Sequence, residues 1–353
     1  MSSFNEFKVS EGEVCAVTGA NGFLGFHVVS QLLEKNVKTL AIARSEKSSK
    51  RLEAVFSEQV KSGLLKFAYV PDITQLNDAY TEAFKGVSRV IHTASPIFQL
   101  GQVSTNPSKD FYDPAINGAL NALTSAAKHQ NIKSLVITGS VVARYTSLTQ
   151  SSGELLRESL LPVTREEAEK LTHVGLMYRA SKSLSERAIR KWVEENKPHF
   201  NTTILIPSLL LGPHADPLEN KFTGSNSVYR TWFEDPKQNL DNNASTTSAD
   251  VRDTAKAHIN AVFGNIQNPY FIGSSLQSYF IVQTILHAFE ALKYVATIQD
   301  VNWDEEILTK LSQANKDKGE LVVPWRDEDA KSLSIYPMHS AVETFAKYIG
   351  QPE

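Results

Sequence analysis

A doubly wound α/β fold with a parallel sheet is predicted by two observations. Short apolar runs alternate with helix-length amphipathic segments as far as residue 206. A glycine-rich turn, Thr18-Gly-Ala-Asn-Gly-Phe-Leu-Gly25, directly follows the first run and opens the first helical segment. Strands that alternate with helices pair in parallel through crossover connections.

Taken in order, Glu13-Val-Cys-Ala-Val-Thr18 has the form of a buried parallel strand. Phe23, Val28, Leu32 and Leu33 recur at helical spacing, which predicts a helix over 24–34. Lys38–Ala43 is the second strand, 48–60 a helix, Leu64–Val70 the third strand and 76–84 a helix. Arg89–His92 is the fourth strand, followed by a helix over 111–129 and a fifth strand, Ser134–Thr138. A long helix over 177–195 precedes the sixth strand, Thr202–Ile206. Beyond Pro207 the alternation decays; residues 212–250 are rich in Gly, Pro, Asn and Ser, and a helix follows over 251–263.

The bulk numbers exclude several classes. The chain has 353 residues, 41% hydrophobic and 21% charged, enough for one large α/β domain with a smaller lobe. A net charge of -3 gives no reason to expect a nucleic-acid or anionic-membrane partner. The single cysteine, Cys15, lies in an apolar strand and reads as a core residue of a protein in a reducing compartment. Residues 1–12 lack an apolar signal core, no run is long enough to span a membrane, and 350–353 match no anchor signal. A cytoplasmic protein is expected. The nine histidines show no clustered ligand spacing, so no metal is expected.

Glycines at 19, 22 and 25, between a strand and a helix, match the fingerprint of a dinucleotide-binding Rossmann turn. Such glycines let the backbone approach a pyrophosphate, whose charge the helix N-terminus favours. Thr18, Gly19, Asn21, Gly22, Phe23, Leu24 and Gly25 are the expected contacts. The second strand ends Ala41-Ile-Ala-Arg44, with Ser45, Lys47 and Lys50 beyond and no acid at the point that would bond the ribose of NAD. Arg44, with Lys50 nearby, suits the extra phosphate of NADP, so NADPH is the expected cofactor. Asp72, beside Ile73 after the third strand, fits either an adenine contact or a helix cap.

Tyr178 and Lys182, spaced i, i+4, share one helix face. A free phenol titrates near ~10, and a neighbouring ammonium is expected to bring it down toward neutrality. Ser140, just after the fifth strand, is placed to polarise a carbonyl. Of the 11 tyrosines only Tyr178 has lysine four residues on. Asn117 reads either as part of a water relay or as a packing residue. His92 reads as structural, and His173 as a weak candidate.

With these residues in hand, the chain resembles an extended short-chain dehydrogenase/reductase. His92-Thr-Ala-Ser-Pro96, Arg44 and Val251-Arg-Asp253 resemble the dihydroflavonol-reductase-like branch, which includes fungal methylglyoxal, aldehyde and ketone reductases. The resemblance implies a small-molecule carbonyl substrate, Tyr178 as proton donor, Lys182 on the nicotinamide ribose and Ser140 on the carbonyl. It also implies Thr93, Ala94 and Ser95 along the cofactor, with the stretch from Pro207 to Pro213 over the nicotinamide. One departure stands out: Thr138-Gly139-Ser140 replaces the usual Thr-Ser-Ser. Residues 1–206 are expected to form the dinucleotide-binding domain, and 207–353 mainly a substrate-binding lobe interleaved with it. Phe98, Val141, Met177, Leu209 and 229–233 are candidate pocket walls. Rival readings on this fold are hydroxysteroid dehydrogenases, nucleotide-sugar epimerases or dehydratases, acyl-CoA reductases and a non-catalytic NADP sensor. Substrate identity, product stereochemistry and oligomeric state are not readable from the sequence.

Overall fold

The computed structural model describes residues 9–10, 12–75, 79–95, 104–149, 159–217, 219, 224–227, 248–264 and 270–272. Alternation of side chains along the strands organises the core. In β4 (Arg89–His92) Val90 and Ile91 point to opposite faces, as do Leu135 and Val136 in β5 (Ser134–Thr138). One face buries Val90, Leu135 and Ile137 against α4 (Asp113–Ala127) and α6 (Val174–Asn196). The other buries Cys15, Val17, Ile91 and Val136 against α1 (Phe23–Glu34) and α7 (Val251–Gly264). Apolar residues on both faces are what a fully covered parallel sheet requires.

The remaining strands are β1 (Val14–Thr18), β2 (Lys38–Ala43), β3 (Leu65–Tyr69), β6 (Asn201–Pro207), β7 (Leu209–Leu211), β8 (Ser248–Asp250) and β9 (Tyr270–Ile272). The main sheet runs β3-β2-β1-β4-β5-β6-β9, parallel throughout. The predicted fold class is therefore the observed one. β9 is a seventh strand beyond the six expected, and β7 and β8 form a separate parallel pair. The strand order reverses between β1 and β4, and a crevice opens outside their C-terminal ends, where such sheets bind ligands. Beyond residue 207, α7 packs against α1 and β9 joins the main sheet, so these segments belong to the sheet layers.

Several helices differ from expectation. The helix predicted over 48–60 begins earlier, because Ser45 and Ser48 form a reciprocal cap, and it breaks at Phe56 into α2 (Glu46–Val55) and α3 (Ser57–Lys61). The Phe56 ring turns inward onto Phe26, at 5.5 Å. The helix predicted over 76–84 is a series of turns across its described part, 79–84. Two of its backbone groups are taken by distant side chains: the Tyr80 N–H donates to Ser125 Oγ at 3.2 Å, and the Thr81 carbonyl bonds His129 Nε2 at 2.8 Å. A π-helical turn, Ser108–Tyr112, leads into α4. α6 starts three residues before its predicted onset, and a short α5 (Arg165–Glu169) precedes it. Among the described residues no helix is long and apolar enough to cross a membrane.

Candidate active site

The glycine turn closes the β1 end of the crevice. Gly19 adopts φ +65°, and a Cβ there would lie 2.9 Å from the backbone of Ala94. At Gly25 a Cβ would sit 2.2 Å from the Gly19 carbonyl oxygen, so this glycine lets α1 pack onto the turn. No side chain caps α1, whose N-cap is Gly22, so its first turn is suited to an anionic ligand. Leu24 and Gly25 are buried, while Phe23 is half-buried against the rings of His27 and His214.

Thr18 ties this turn to the end of β4. Its Oγ1 lies 2.8 Å from His92 Nδ1 and accepts the Ala94 N–H at 3.3 Å, while Thr93 Oγ1 donates to the Thr18 carbonyl at 2.7 Å. Burial pushes His92 down to about 3, with the Lys182 ammonium acting in the same direction, so His92 is a neutral strut.

A cavity of about 520 Å³ lies over the β1, β2 and β4 ends, within the usual size of a ligand site. It is lined by the expected Thr18, Gly19, Asn21, Arg44, Asp72, Ile73, Ala94 and Ser95. Ser48, Val70, Tyr80 and Pro114 also line it and were missed. Ser48 was findable through its cap spacing from Ser45; Tyr80 arrives by a long-range contact that no local pattern signals. Arg44 is exposed at the rim, whereas Lys50 is exposed on α2 outside the lining. Asp72 is engaged in its own loop: its Oδ1 accepts from Thr74 N at 2.8 Å and Thr74 Oγ1 at 2.7 Å. These bonds hold its carboxyl below the usual range, with a smaller contribution from Arg44. A crevice walled by the Gly19 backbone at one end, with a cation at its rim, fits a phosphorylated dinucleotide.

The second group of side chains gathers at the ends of β4, β5 and α6. Ser140 follows β5 in extended conformation, with φ −161° and ψ 143°. At the preceding Gly139 a Cβ would lie 3.0 Å from Ile204 Cγ2 and 3.2 Å from the Leu205 oxygen, while its N–H donates to that oxygen at 2.7 Å. A side chain at 139 would press on Ile204 and Leu205 of β6, which glycine avoids. The Ser140 hydroxyl lies beside Tyr178 and favours its phenolate. Lys182 Nζ stands 5.4 Å from the centre of the Tyr178 ring and donates to Ser95 Oγ at 2.7 Å. Ser95, which also lines the cavity, joins the two groups.

The expected effect of Lys182 on Tyr178 is not what the structure gives. Burial pushes the Tyr178 phenol up, and the opposing influence is the neighbouring Ser140 hydroxyl. Lys182 lies over the ring face and is anchored by Ser95, and burial brings it down to about 8. Of the other candidates, Asn117 is half-buried on α4, and His173 is exposed before α6. Val141 and Met177 are core residues, Leu209 is half-buried on β7, and Pro207 is the buried last residue of β6. Phe98 and 229–233 lie outside the described residues.

A parallel sheet of this order, with a glycine turn at β1 and a Ser–Tyr–Lys group at β5 and α6, defines a short-chain-type oxidoreductase. The chain matches the 3-beta hydroxysteroid dehydrogenase/isomerase family over residues 16–316 and belongs to it. Among its relatives is the NADPH-dependent methylglyoxal reductase of Saccharomyces cerevisiae, 30% identical over 69% of this chain and 72% of that protein. Aldehyde reductase 2 of Sporidiobolus salmonicolor is 33% identical over 62% of this chain and 63% of its own length. A ketoreductase of Aspergillus niger is 32% identical over 70% and 72%. The fold matches that of yeast methylglyoxal/isovaleraldehyde reductase complexed with NADPH, with a TM-score of 0.76, 24% identity and coverage of 95% of this chain and 98% of that one. Vestitone reductase from alfalfa matches with a TM-score of 0.69, 19% identity and coverage of 95% and 96%.

Proposed function

We propose that the protein is an NADPH-dependent reductase of small aldehydes or ketones, with Tyr178 as proton donor. The observation that carries this reading is a lysine over the Tyr178 ring that reaches the cavity wall through Ser95, with Ser140 beside the same tyrosine. NADPH, when bound, supplies the hydride for the carbonyl carbon. The Gly19–Gly25 turn and Arg44 are suited to its phosphates, and Thr93, Ala94 and Ser95 to its length. Ser140 donates a hydrogen bond that orients and polarises the substrate carbonyl oxygen. Tyr178 passes its proton to that oxygen as negative charge develops, and the raised affinity of the buried phenol for its proton keeps it loaded before reaction. Lys182, held against Ser95 at the cavity wall, is suited to bond the nicotinamide ribose. The relatives' names, methylglyoxal, aldehyde and ketone reductases, support the reaction class.

The test is NADPH consumption by the purified protein over a panel of aldehydes, α-dicarbonyls and ketones, for wild type and Tyr178→Phe. Loss of the proton donor is expected to lower kcat by roughly 10²-fold or more with NADPH affinity unchanged. Undiminished turnover by the phenylalanine variant would sink the assignment of Tyr178.

A further inference from the structure

A fully buried ion pair lies between the two segments that carry Ser140 and Tyr178, and the reaction as described makes no use of it. Arg144 ends the tight turn Val141–Arg144 that follows Ser140, and its side chain is 0% exposed. It donates through Nη2 to Glu186 Oε1 and through Nη1 to the Ser159 carbonyl at 3.1 Å. Glu186 is 3% exposed and lies on α6 at the i+8 position from Tyr178 and i+4 from Lys182, hence on the same helix face. Arg190 adds a second cation to the same oxygen, with Nε at 3.1 Å.

The surroundings reinforce the junction. Segment 159–163 is bonded on one side to the turn, through Leu161 N–H to the Ala143 carbonyl at 2.9 Å. On the other side it accepts from α6, through Ser183 Oγ to the Leu161 carbonyl at 2.8 Å and Arg187 Nη1 to the Val163 carbonyl at 2.8 Å. The Arg144 fork thus reaches both the intervening segment and α6.

We infer that Arg144 and Glu186 are positioning residues that hold the Ser140 turn and α6 at the relative orientation that keeps Ser140 beside Tyr178. The Ser140 turn meets α6 near its start, at Tyr178, and the ion pair ties the same turn to the helix again two turns further along. Stability alone does not account for the pair, since desolvating two charges offsets much of their attraction and apolar residues of similar volume would do as well. Misplacement by ~1 Å, in contrast, is enough to cost ~10²-fold in rate. The inference rests on Ser140 and Tyr178 being the reacting pair.

The experiment compares the wild type with the double variant Arg144→Met/Glu186→Leu, which removes both charges together, and with Arg144→Lys, which keeps the charge and loses the fork. Ser140→Ala and Tyr178→Phe are measured in parallel. The double variant is expected to melt near the wild type and bind NADPH within about twofold, because the glycine turn and Arg44 are untouched. Its kcat is expected to fall tenfold or more on the scale above. The alkaline limb of kcat is expected to move to higher pH, because the Ser140 hydroxyl that favours the phenolate moves away from Tyr178. In a Ser140→Ala background the double substitution should add little, since both act on one contact.

A stable double variant with wild-type kcat and an unmoved alkaline limb overturns the inference. Should the double variant not fold, Arg144→Lys decides: a tenfold loss of kcat with unchanged melting supports it, and wild-type kcat overturns it. Full activity in both Ser140→Ala and Tyr178→Phe would instead overturn the reacting pair itself, which is a different failure.

Discussion

Alanine at Gly25 and alanine at Gly22 separate helix packing from ligand approach within one turn. At Gly25 the new Cβ would lie 2.2 Å from the Gly19 oxygen and 2.9 Å from Ala20 Cα, where real Cβ atoms essentially never come closer than 3.0 Å. The shortfall against the oxygen, 3.0 less 2.2, is 0.8 Å, and both obstacles are backbone. Helix α1 must retreat by most of that distance, yet Leu24, Val28, Val29 and Leu32 hold it in the core it shares with α7. Overpacking of this kind costs ~1–3 kcal/mol, which for a chain of this size corresponds to a fall of roughly 1–4 °C in Tm. At Gly22 the Cβ meets only the Gly19 oxygen, at 3.2 Å, and φ is −83°, a value alanine adopts readily. Gly22→Ala should therefore melt with the wild type when free, while NADPH affinity falls by about tenfold or more because the backbone no longer approaches the pyrophosphate. The assays are thermal melting of the free protein and fluorescence titration with NADPH. A Gly25→Ala protein melting within about 1 °C of wild type, or a Gly22→Ala protein with unchanged NADPH affinity, would refute this division of roles.

Two further outcomes are expected. Arg44→Ala should raise the KM for NADPH by roughly tenfold or more, on the scale of a lost charge-assisted bond, and leave the KM for NADH unchanged; equal effects on both cofactors would remove Arg44 from the phosphate site. Acid should destabilise the fold before its carboxylates titrate. Burial holds His27 and His258 at about 4 against an ordinary 6.5, so between those values the unfolded chain binds more protons and stability falls as pH falls. By pH 5 each histidine accounts for a loss of roughly 2 kcal/mol relative to pH 7. Urea unfolding of His258→Asn at both pH values should show a smaller acid loss by about that amount, and an identical loss would contradict the assignment.

Local pattern determined much of this protein. The spacing of Gly19, Gly22 and Gly25 between a strand and a helix located the turn, and the i, i+4 spacing of Tyr178 and Lys182 put both on one face of α6. The strands Lys38–Ala43, Arg89–His92 and Ser134–Thr138 were legible to the residue, because their apolar runs are bounded by abrupt polar or glycine positions. Where a local pattern competed with a distant partner, the partner won. Helix 76–84 lost backbone groups to Ser125 and His129, and helix 48–60 broke where the Phe56 ring turned onto Phe26. The state of the site was likewise decided in three dimensions. Lys182 bonds Ser95, 87 positions away, and lies on the face of the Tyr178 ring, and burial raises the phenol's proton affinity with Ser140 opposing it. Arg144 and Glu186, 42 positions apart, carry no motif at all. Periodicity along a chain records which way each side chain points; which group stands opposite, and how much water is excluded between them, is fixed only when the elements pack.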